Sequence, residues 1–522
     1  VDGGPLVPSE FVEIRSLNDR QWRFSGVVNA DTPDDEGLDV ASYQPGFDDS
    51  GWDHIAVPLN WYVQYPQAYQ SPNEFAGRYF KGCYRRTLVL TAGDLAGRRA
   101  ILHFGVIGYE ARLFVNGEEA GGHHGDFVPW DVDITPWVRP GENTLAIRVV
   151  SDFGVSPAVR TYGSQWARND IKAGLWQEAE LRLEPEVRVG RVLISPDLSE
   201  GGIGVEAQIF NHTAEGLDCR PAAVVSSALR DSREPVCSSV EFPAMTAVPG
   251  ESLLRGFVKL NDPVRWTPDD PHLYYLSIYL RGADGKVLCA RSERFGFREF
   301  KAKGKNFHLN GERIYLFGEN LPVMAFGGRG QTREEEESRM AKDICGYKSL
   351  GYNILRTAHM PALPMFYDLA DELGMLVYDE WGWAFTTVIE EKEFARRNDQ
   401  ELTEWVYRDH NHPSVVMWSG GNEVTHSTSP AVKRQLDRQV DLIHGLDRQK
   451  RPAGSFSASA SQGAFGTAKL NTDFADLHDY LGMAGHPWTR WNSSFDNHYR
   501  RLARTYAKNE QELAMPYIIW EC

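Results

Sequence analysis

The feature that most constrains this chain is a change of texture near Phe300. Ahead of it, short strand-like runs are separated by turn residues, with almost no helical period. Beyond it, apolar strand-like runs alternate with amphipathic helical stretches. That alternation is the mark of a parallel barrel or a doubly wound sheet, and it does not mix with the all-β pattern in front. At 522 residues the chain is also too long for one core, which suggests roughly three domains.

Residues 1–185 read as the first domain. "VNGEE" carries Asn116-Gly117, a strong hairpin signal, and "RPGENTLAIRVV" is a Pro-Gly turn running into a strand. This predicts a β-sandwich of the jelly-roll kind. Residues 186–298 hold a second β pattern, in "RVLISPDL", "GIGVEAQIFN" and "YYLSIYLRG", over about 110 residues, a length that suits an immunoglobulin-like sandwich. Residues 299–522 are expected to form a (β/α)8 TIM-type barrel. Its strands read "RIYLFGEN", "NILRTAH", "MLVYDEW", "VVMWSGGNEV", "PAGSFSA", "FADLHDY" and "PYIIWE". The helix in "TREEEESRMAKDICGYKSLG" has Met340, Ile344 and Tyr347 on one face and Gly351 as its stop. Another helix is expected over 430–446. The eighth strand of the barrel is missing from the sequence, so the chain is expected to be part of a longer protein or to be completed by another segment.

Within "VVMWSGGNEV" an apolar run, Val415 to Trp418, turns abruptly into Ser419, two glycines, Asn422 and Glu423. Packing needs neither the amide nor the carboxylate. Asn422 could cap a helix, or the pair could sit at the carboxyl end of a barrel strand, where active sites form. The other strands favour the second reading. They end in Arg356 and His359, in Asp379-Glu380, in His478 and Tyr480, and in Glu521. In a parallel barrel these ends meet at one face. Several carboxylates, two histidines and aromatics converging there point to catalysis. Each residue also has a packing reading: Arg356 paired to a carboxylate, His359 or the His478–Tyr480 pair as satisfied core groups, one of Asp379 and Glu380 as a cap. Two carboxylates across one pocket suit glycosidic bond cleavage, one protonated to donate and the other ionised to attack, roughly 5 to 5.5 Å apart in a retaining mechanism.

Composition excludes other classes. The net charge is −17, which argues against nucleic acid or an anionic membrane surface as partner. No apolar run of about 18 residues exists to span a membrane. The six cysteines show no metal-binding spacing. Cys219 and Cys237 could bridge strands in an oxidising compartment. That pair, and a start at Val1 without Met or a hydrophobic signal core, lead to the expectation of an exported protein, periplasmic or extracellular, with a cytoplasmic location as the alternative.

The three-part layout and its motifs resemble glycoside hydrolase family 2, the β-galactosidase, β-glucuronidase and β-mannosidase group. "FDDSGWDHIAVPLNW" is similar to the family's jelly-roll signature, "GLWQEAEL" to the strand closing that domain, and "WTPDDPHLYYL" with "RFGFREF" to the end of its immunoglobulin-like domain. "FHLNGERIYLFGEN" and "GYNILRTAHMP" resemble its barrel entry and second strand. One departure is Phe317-Gly318-Glu319-Asn320, where the family usually reads Arg-Gly. The resemblance implies Glu423 as acid/base, Glu521 as nucleophile, and Asn422 on the sugar 2-hydroxyl. Arg356, His359, Asp379, Glu380, His478 and Tyr480 are expected to bind substrate. The implied activity is a retaining exo-β-glycosidase, β-galactosidase-like first, acting on a glycoside or oligosaccharide. The alternatives are a β-glucuronidase, a β-mannosidase, an endo-acting glycanase, or a carbohydrate-binding protein without activity. No cofactor is implied and no metal ligands are assigned, although relatives can carry a metal ion. A homo-oligomer is compatible with the sequence.

Overall fold

The computed structural model describes residues 11–27, 40–64, 81–151, 173–228, 240–321, 332–383, 392–424, 429–459, 471–478 and 515–521. The first domain is two antiparallel sheets face to face. One is four-stranded, in the order Glu13–Ser16, Ala179–Pro185, Arg98–Phe104, Trp130–Asp133. The other is six-stranded, with Lys81–Leu90 and Gly141–Val150 at its centre. Their inner faces bury Trp22, Phe24, Leu102, Leu113, Ile147 and Leu181 in one core. The Asn116-Gly117 hairpin is present. Both residues have positive φ, 54° and 88°, as a tight turn matching strand twist requires.

The second domain begins directly after the first, with Val187–Asp197. It stacks a three-stranded sheet on a sheet whose main path is Leu217–Ser227, Leu273–Gly282 and Val287–Gly296. Cys219 is a free, buried thiol there, its Sγ 3.4 Å from the Met245 carbonyl. Its expected partner Cys237 lies outside the described residues.

The third domain opens with a small antiparallel sheet, Phe300–Lys303, Asn306–Leu309 and Glu312–Ile314. The stretch expected as one strand, "RIYLFGEN", is therefore divided: its front belongs to this sheet and only Gly318–Asn320 enters the barrel. The barrel strands are β1 (Gly318–Asn320), β2 (Ile354–Arg356), β3 (Leu376–Glu380), β4 (Val415–Ser419), β5 (Ala453–Gly454), β6 (Ala475–His478) and β7 (Tyr517–Glu521). β1 to β5 form one parallel arc, and β6 with β7 a parallel pair. The helices are α1 (Arg333–Ser349), α2 (Pro364–Leu373), α3 (Lys392–Asp409) and α4 (Pro430–Leu446). Thr332 and Glu335 cap α1 reciprocally, and Met340 and Ile344 face the core as the periodicity predicts. Inside the barrel, Phe300, Phe307 and Leu309 of the entry sheet pack with Ile354, Tyr378, Met417 and Phe474, filling the end away from the polar strand termini.

Both sandwiches dock on this barrel. Tyr109 donates its hydroxyl to Glu401 of α3 at 2.9 Å, and Arg397 of α3 pairs with Glu110 at 3.0 Å. From the second domain, Arg298 is fully buried and donates to the carbonyls of Pro413 at 2.8 Å and Val415 at 2.6 Å. The base of β4 is thereby fixed by a neighbouring domain.

Candidate active site

Asn422 does not cap a helix. β4 ends at Ser419, and the next helix among the described residues starts at Pro430 with Ser429 as its N-cap. Instead the chain beyond β4 continues alongside the chain beyond β5. Gly420 N–H donates to Gly454 O (3.0 Å), Glu423 N–H to Ser457 O (3.0 Å), and Ser457 N–H to Gly421 O (2.8 Å). Asn422 N–H reaches across to Trp383 O at 2.9 Å. This explains the two glycines: a Cβ on Gly420 would run into the Ser455 carbonyl, and one on Gly421, at φ +156°, into the Trp383 carbonyl. Glu423 itself is held at φ 42°, left-handed for a residue with a side chain, at a cost of about 1–3 kcal/mol. The four backbone hydrogen bonds at Gly420, Gly421, Asn422 and Glu423 itself hold that conformation.

Behind Glu423 lies a buried polar ring. Arg356, at the end of β2, is fully buried and forks onto Glu380 of β3, Nε to Oε2 at 3.0 Å and Nη2 to Oε1 at 2.9 Å. The same guanidinium donates to Asn422 Oδ1 at 2.6 Å and to Asn320 Oδ1 at 3.2 Å. His359, after β2 and preceded by a cis peptide bond, puts Nδ1 3.5 Å from Glu380 and 3.4 Å from Arg356. With its Oδ1 held by Arg356, the Asn422 amide has a fixed orientation. Its Nδ2 is buried and has no hydrogen-bond partner among the described residues. That donor is therefore unspent, on an amide whose orientation Arg356 fixes.

Glu423 and His359 keep 19% and 18% of their side chains exposed, whereas Arg356 and Glu380 keep none, so the former two face the mouth and the latter two support it. Glu423 Oε1 meets His478 Nδ1 of β6 at 3.0 Å. His478 Nε2 meets Ser457 Oγ at 2.8 Å, and Ser457 Oγ donates to Asp476 Oδ2 at 3.0 Å. Asp476 also accepts from Tyr378 Oη at 2.9 Å. Burial pushes the Asp476 carboxyl above the ordinary carboxylate range, and pushes the Tyr378 hydroxyl up as well, so that it stays a donor.

Asp379 corrects a sequence expectation. It faces the helices and does not join the pocket. Its Oδ1 accepts from Tyr367 of α2 (2.6 Å) and Thr357 (3.1 Å), its Oδ2 from Trp405 of α3 (2.9 Å). Neighbours on a strand point to opposite faces, so only one of Asp379 and Glu380 can enter the barrel. Trp381 and Trp418 are likewise core, bonded to Asn398 and Asp447. Glu521 ends β7, with its backbone in register with His478. Tyr480 lies outside the described residues. Ser457 and Asp476 were not singled out from sequence, and Asn320 was named only within the departure at Phe317-Gly318-Glu319-Asn320. Asp476 was findable, because it lies two before His478 and so shares its face. Elsewhere, Asp368, Asp371 and His412 bring ligand atoms within 4.8 Å of one another, but Arg294 already pairs with Asp368 at 2.6 Å and Asp371 at 3.4 Å.

A parallel barrel behind two β-sandwiches, with arginine, asparagine, histidines and glutamates gathered at its strand ends, is the layout of a glycoside hydrolase. Comparison with known proteins gives the family. Residues 14–166 match the sugar binding domain of glycosyl hydrolases family 2, residues 187–298 its central family domain, and residues 300–447 its TIM barrel domain. The chain belongs to glycosyl hydrolases family 2. Among its relatives, a β-galactosidase of Photobacterium profundum is 28% identical over 457 residues, 82% of this chain and 42% of that protein. A β-galactosidase of Thermoanaerobacter pseudethanolicus is 27% identical over 419 residues, covering 79% and 53%. The crystal structure of a Bacteroides uniformis β-glucuronidase superposes with a TM-score of 0.77 at 21% identity, covering 97% of this chain and 58% of that one. The chain spans about half the length of the curated relatives it matches.

Proposed function

We propose that the protein is a retaining exo-β-glycosidase that removes terminal β-linked sugars, β-galactosides first, by double displacement. One observation carries the reading. His478 bonds Glu423 through its side chain and pairs with Glu521 through its backbone, so a single residue links the two glutamates at one barrel mouth. In this reading Glu423 protonates the leaving oxygen and then activates water, while Glu521 attacks the anomeric carbon. The spare Asn422 amide donor takes the 2-hydroxyl, a bond that strengthens as charge develops at the anomeric centre. The β-galactoside preference rests on the names of the relatives, and a panel of nitrophenyl β-glycosides tests it.

Product stereochemistry tests the roles. Glu521→Ala opens space beside the anomeric carbon, and azide entering there in one displacement gives a glycosyl azide of inverted configuration. Glu423→Ala keeps the nucleophile. With an activated leaving group the intermediate forms, and azide then gives the retained product. The opposite pairing would reverse the assignments. Neither change slowing hydrolysis by more than about tenfold, roughly 1.4 kcal/mol, would place the chemistry elsewhere.

A further inference from the structure

The side chains behind His478 form an ordered chain that the two-glutamate reaction does not itself require. Asp476 is buried and accepts from three donors: Tyr378 Oη at 2.9 Å, Ser457 Oγ at 3.0 Å and Ala458 N–H at 3.3 Å. Ser457 has one hydroxyl proton, and the carboxylate is its strongest acceptor. With that proton spent on Asp476, Ser457 Oγ can only accept from His478 Nε2, 2.8 Å away. The neutral imidazole then carries its proton on Nε2 and presents a bare Nδ1 to Glu423 Oε1 at 3.0 Å.

We propose that Asp476 and Ser457 are positioning residues that hold His478 in its Nε2–H tautomer, so that its unprotonated Nδ1 keeps a proton on Glu423 for donation to the leaving group. This rests on the reading of Glu423 as the acid/base. The logic is one of matching. A bare nitrogen accepts from a protonated carboxyl and repels a carboxylate, whereas an Nδ1–H would do the reverse. When Glu423 has given its proton to the glycosidic oxygen, the attacking water returns one to it, and the tautomer of His478 is unchanged through the cycle. The other ionisable groups facing this chain are Tyr378 from β3, and Arg356, Glu380 and His359 across Asn422; the backbone of Glu521 pairs with that of His478 in the sheet. Asp476 itself places Oδ1 3.8 Å from His478 Nε2, so it and Ser457 both favour a proton on that nitrogen.

Ser457→Ala tests the proposal in the intact enzyme. It is a small change, and the backbone bonds from Ser457 to Gly421 and Glu423 do not depend on its side chain. Without the hydroxyl, the imidazole proton is free to move to Nδ1 and favour ionised Glu423. The basic limb of the kcat/KM pH profile should fall by about one unit, the size set by one hydrogen bond to a charged group. At a pH above that limb an alkyl glycoside should be hydrolysed about tenfold more slowly than by the parent, and a dinitrophenyl glycoside at the parent rate. Asp476→Asn, which can donate to Ser457 and turn its proton toward Nε2, should move the limb in the same direction. If Ser457→Ala lowers thermal stability but leaves the limb in place, the proposal is overturned and the chain is only structural. Glu423→Ala keeps the two readings apart. If it slows both leaving groups alike, the acid/base assignment fails. If it spares only the activated one while Ser457→Ala leaves the limb fixed, the tautomer proposal fails alone.

Discussion

Arg356 joins the stability of the barrel to the geometry of the site, and removing it separates the two. Arg356 and Glu380 have no exposed side-chain area and share two hydrogen bonds of 3.0 and 2.9 Å. Changing Arg356→Met fills much of the same volume but leaves Glu380 as an unpaired buried carboxylate. Breaking a buried pair from one side costs about 3–5 kcal/mol. Glu380→Leu should cost a similar amount, since it strands the guanidinium instead. The double variant, Arg356→Met with Glu380→Leu, removes both charges, and apolar replacement of a buried pair is often close to neutral. A double-mutant cycle on the barrel's denaturation transition should therefore give a coupling of at least about 2 kcal/mol. Activity should not recover with stability. Asn422 Oδ1 loses its 2.6 Å charged donor in the Arg356→Met single variant and in the double variant alike. A hydrogen bond to a charged group is worth about 1.5–3 kcal/mol, so kcat/KM should stay roughly 10- to 150-fold below the parent even in the stable double variant. Additive stability effects, or a single variant costing less than about 1 kcal/mol, would refute the buried-pair argument. A double variant with parental kcat/KM would refute the link to Asn422.

The remaining predictions are shorter. Asp379→Ala should cost about 3 kcal/mol or more, because Tyr367, Thr357 and Trp405 lose their acceptor, while KM for an aryl glycoside stays unchanged; a raised KM at parental stability would return Asp379 to the pocket. Gly421→Ala should abolish turnover, since its Cβ meets the Trp383 carbonyl and shifts Asn422, and an active, stable variant would show that the glycine is dispensable. Burial lowers the pKa of His410 from 6.5 to about 4, and its Nε2 already accepts from Arg448 N–H. The unfolded chain thus binds this proton first, so stability is full above pH 6.5 and declines by about 3 kcal/mol toward pH 4; a His410→Gln variant with the same acid slope in a denaturation series would rule this out.

Much of the architecture was legible because its signals are local. The hairpin at Asn116-Gly117, the helix in "TREEEESRMAKDICGYKSLG" and the helix over 430–446 each rest on a few neighbouring residues. The facing of the barrel strands was not legible, and the reason is physical. A parallel strand buried on both sides is apolar at every position, so its alternation has no visible phase. Leu376 and Tyr378 point into the barrel while Val377 packs outward, yet all three are apolar or aromatic. Nothing in "LVYDE" therefore says which carboxylate turns inward. β4 adds an irregularity, because its register against β3 shifts between Val377 and Tyr378 and places both Val416 and Met417 in the inner cluster. A strict period of two fails there even when its phase is known.

The same facing rule limits what a polar strand end means. Asp379 and Glu380 are adjacent, equally buried and equally well bonded, yet only Glu380 belongs to the ring that holds Asn422. Convergence of polar termini locates the mouth of the barrel, but most of those groups satisfy one another. What marks a group as available for chemistry is a remaining opening: the part-exposed carboxyl of Glu423, the part-exposed ring of His359, the unbonded Nδ2 of Asn422. These three stand on the fully buried pairs behind them, and those pairs have no freedom to relax when one member is removed. Substitutions in the supporting ring should therefore register first as lost stability, and those at the three openings as lost turnover.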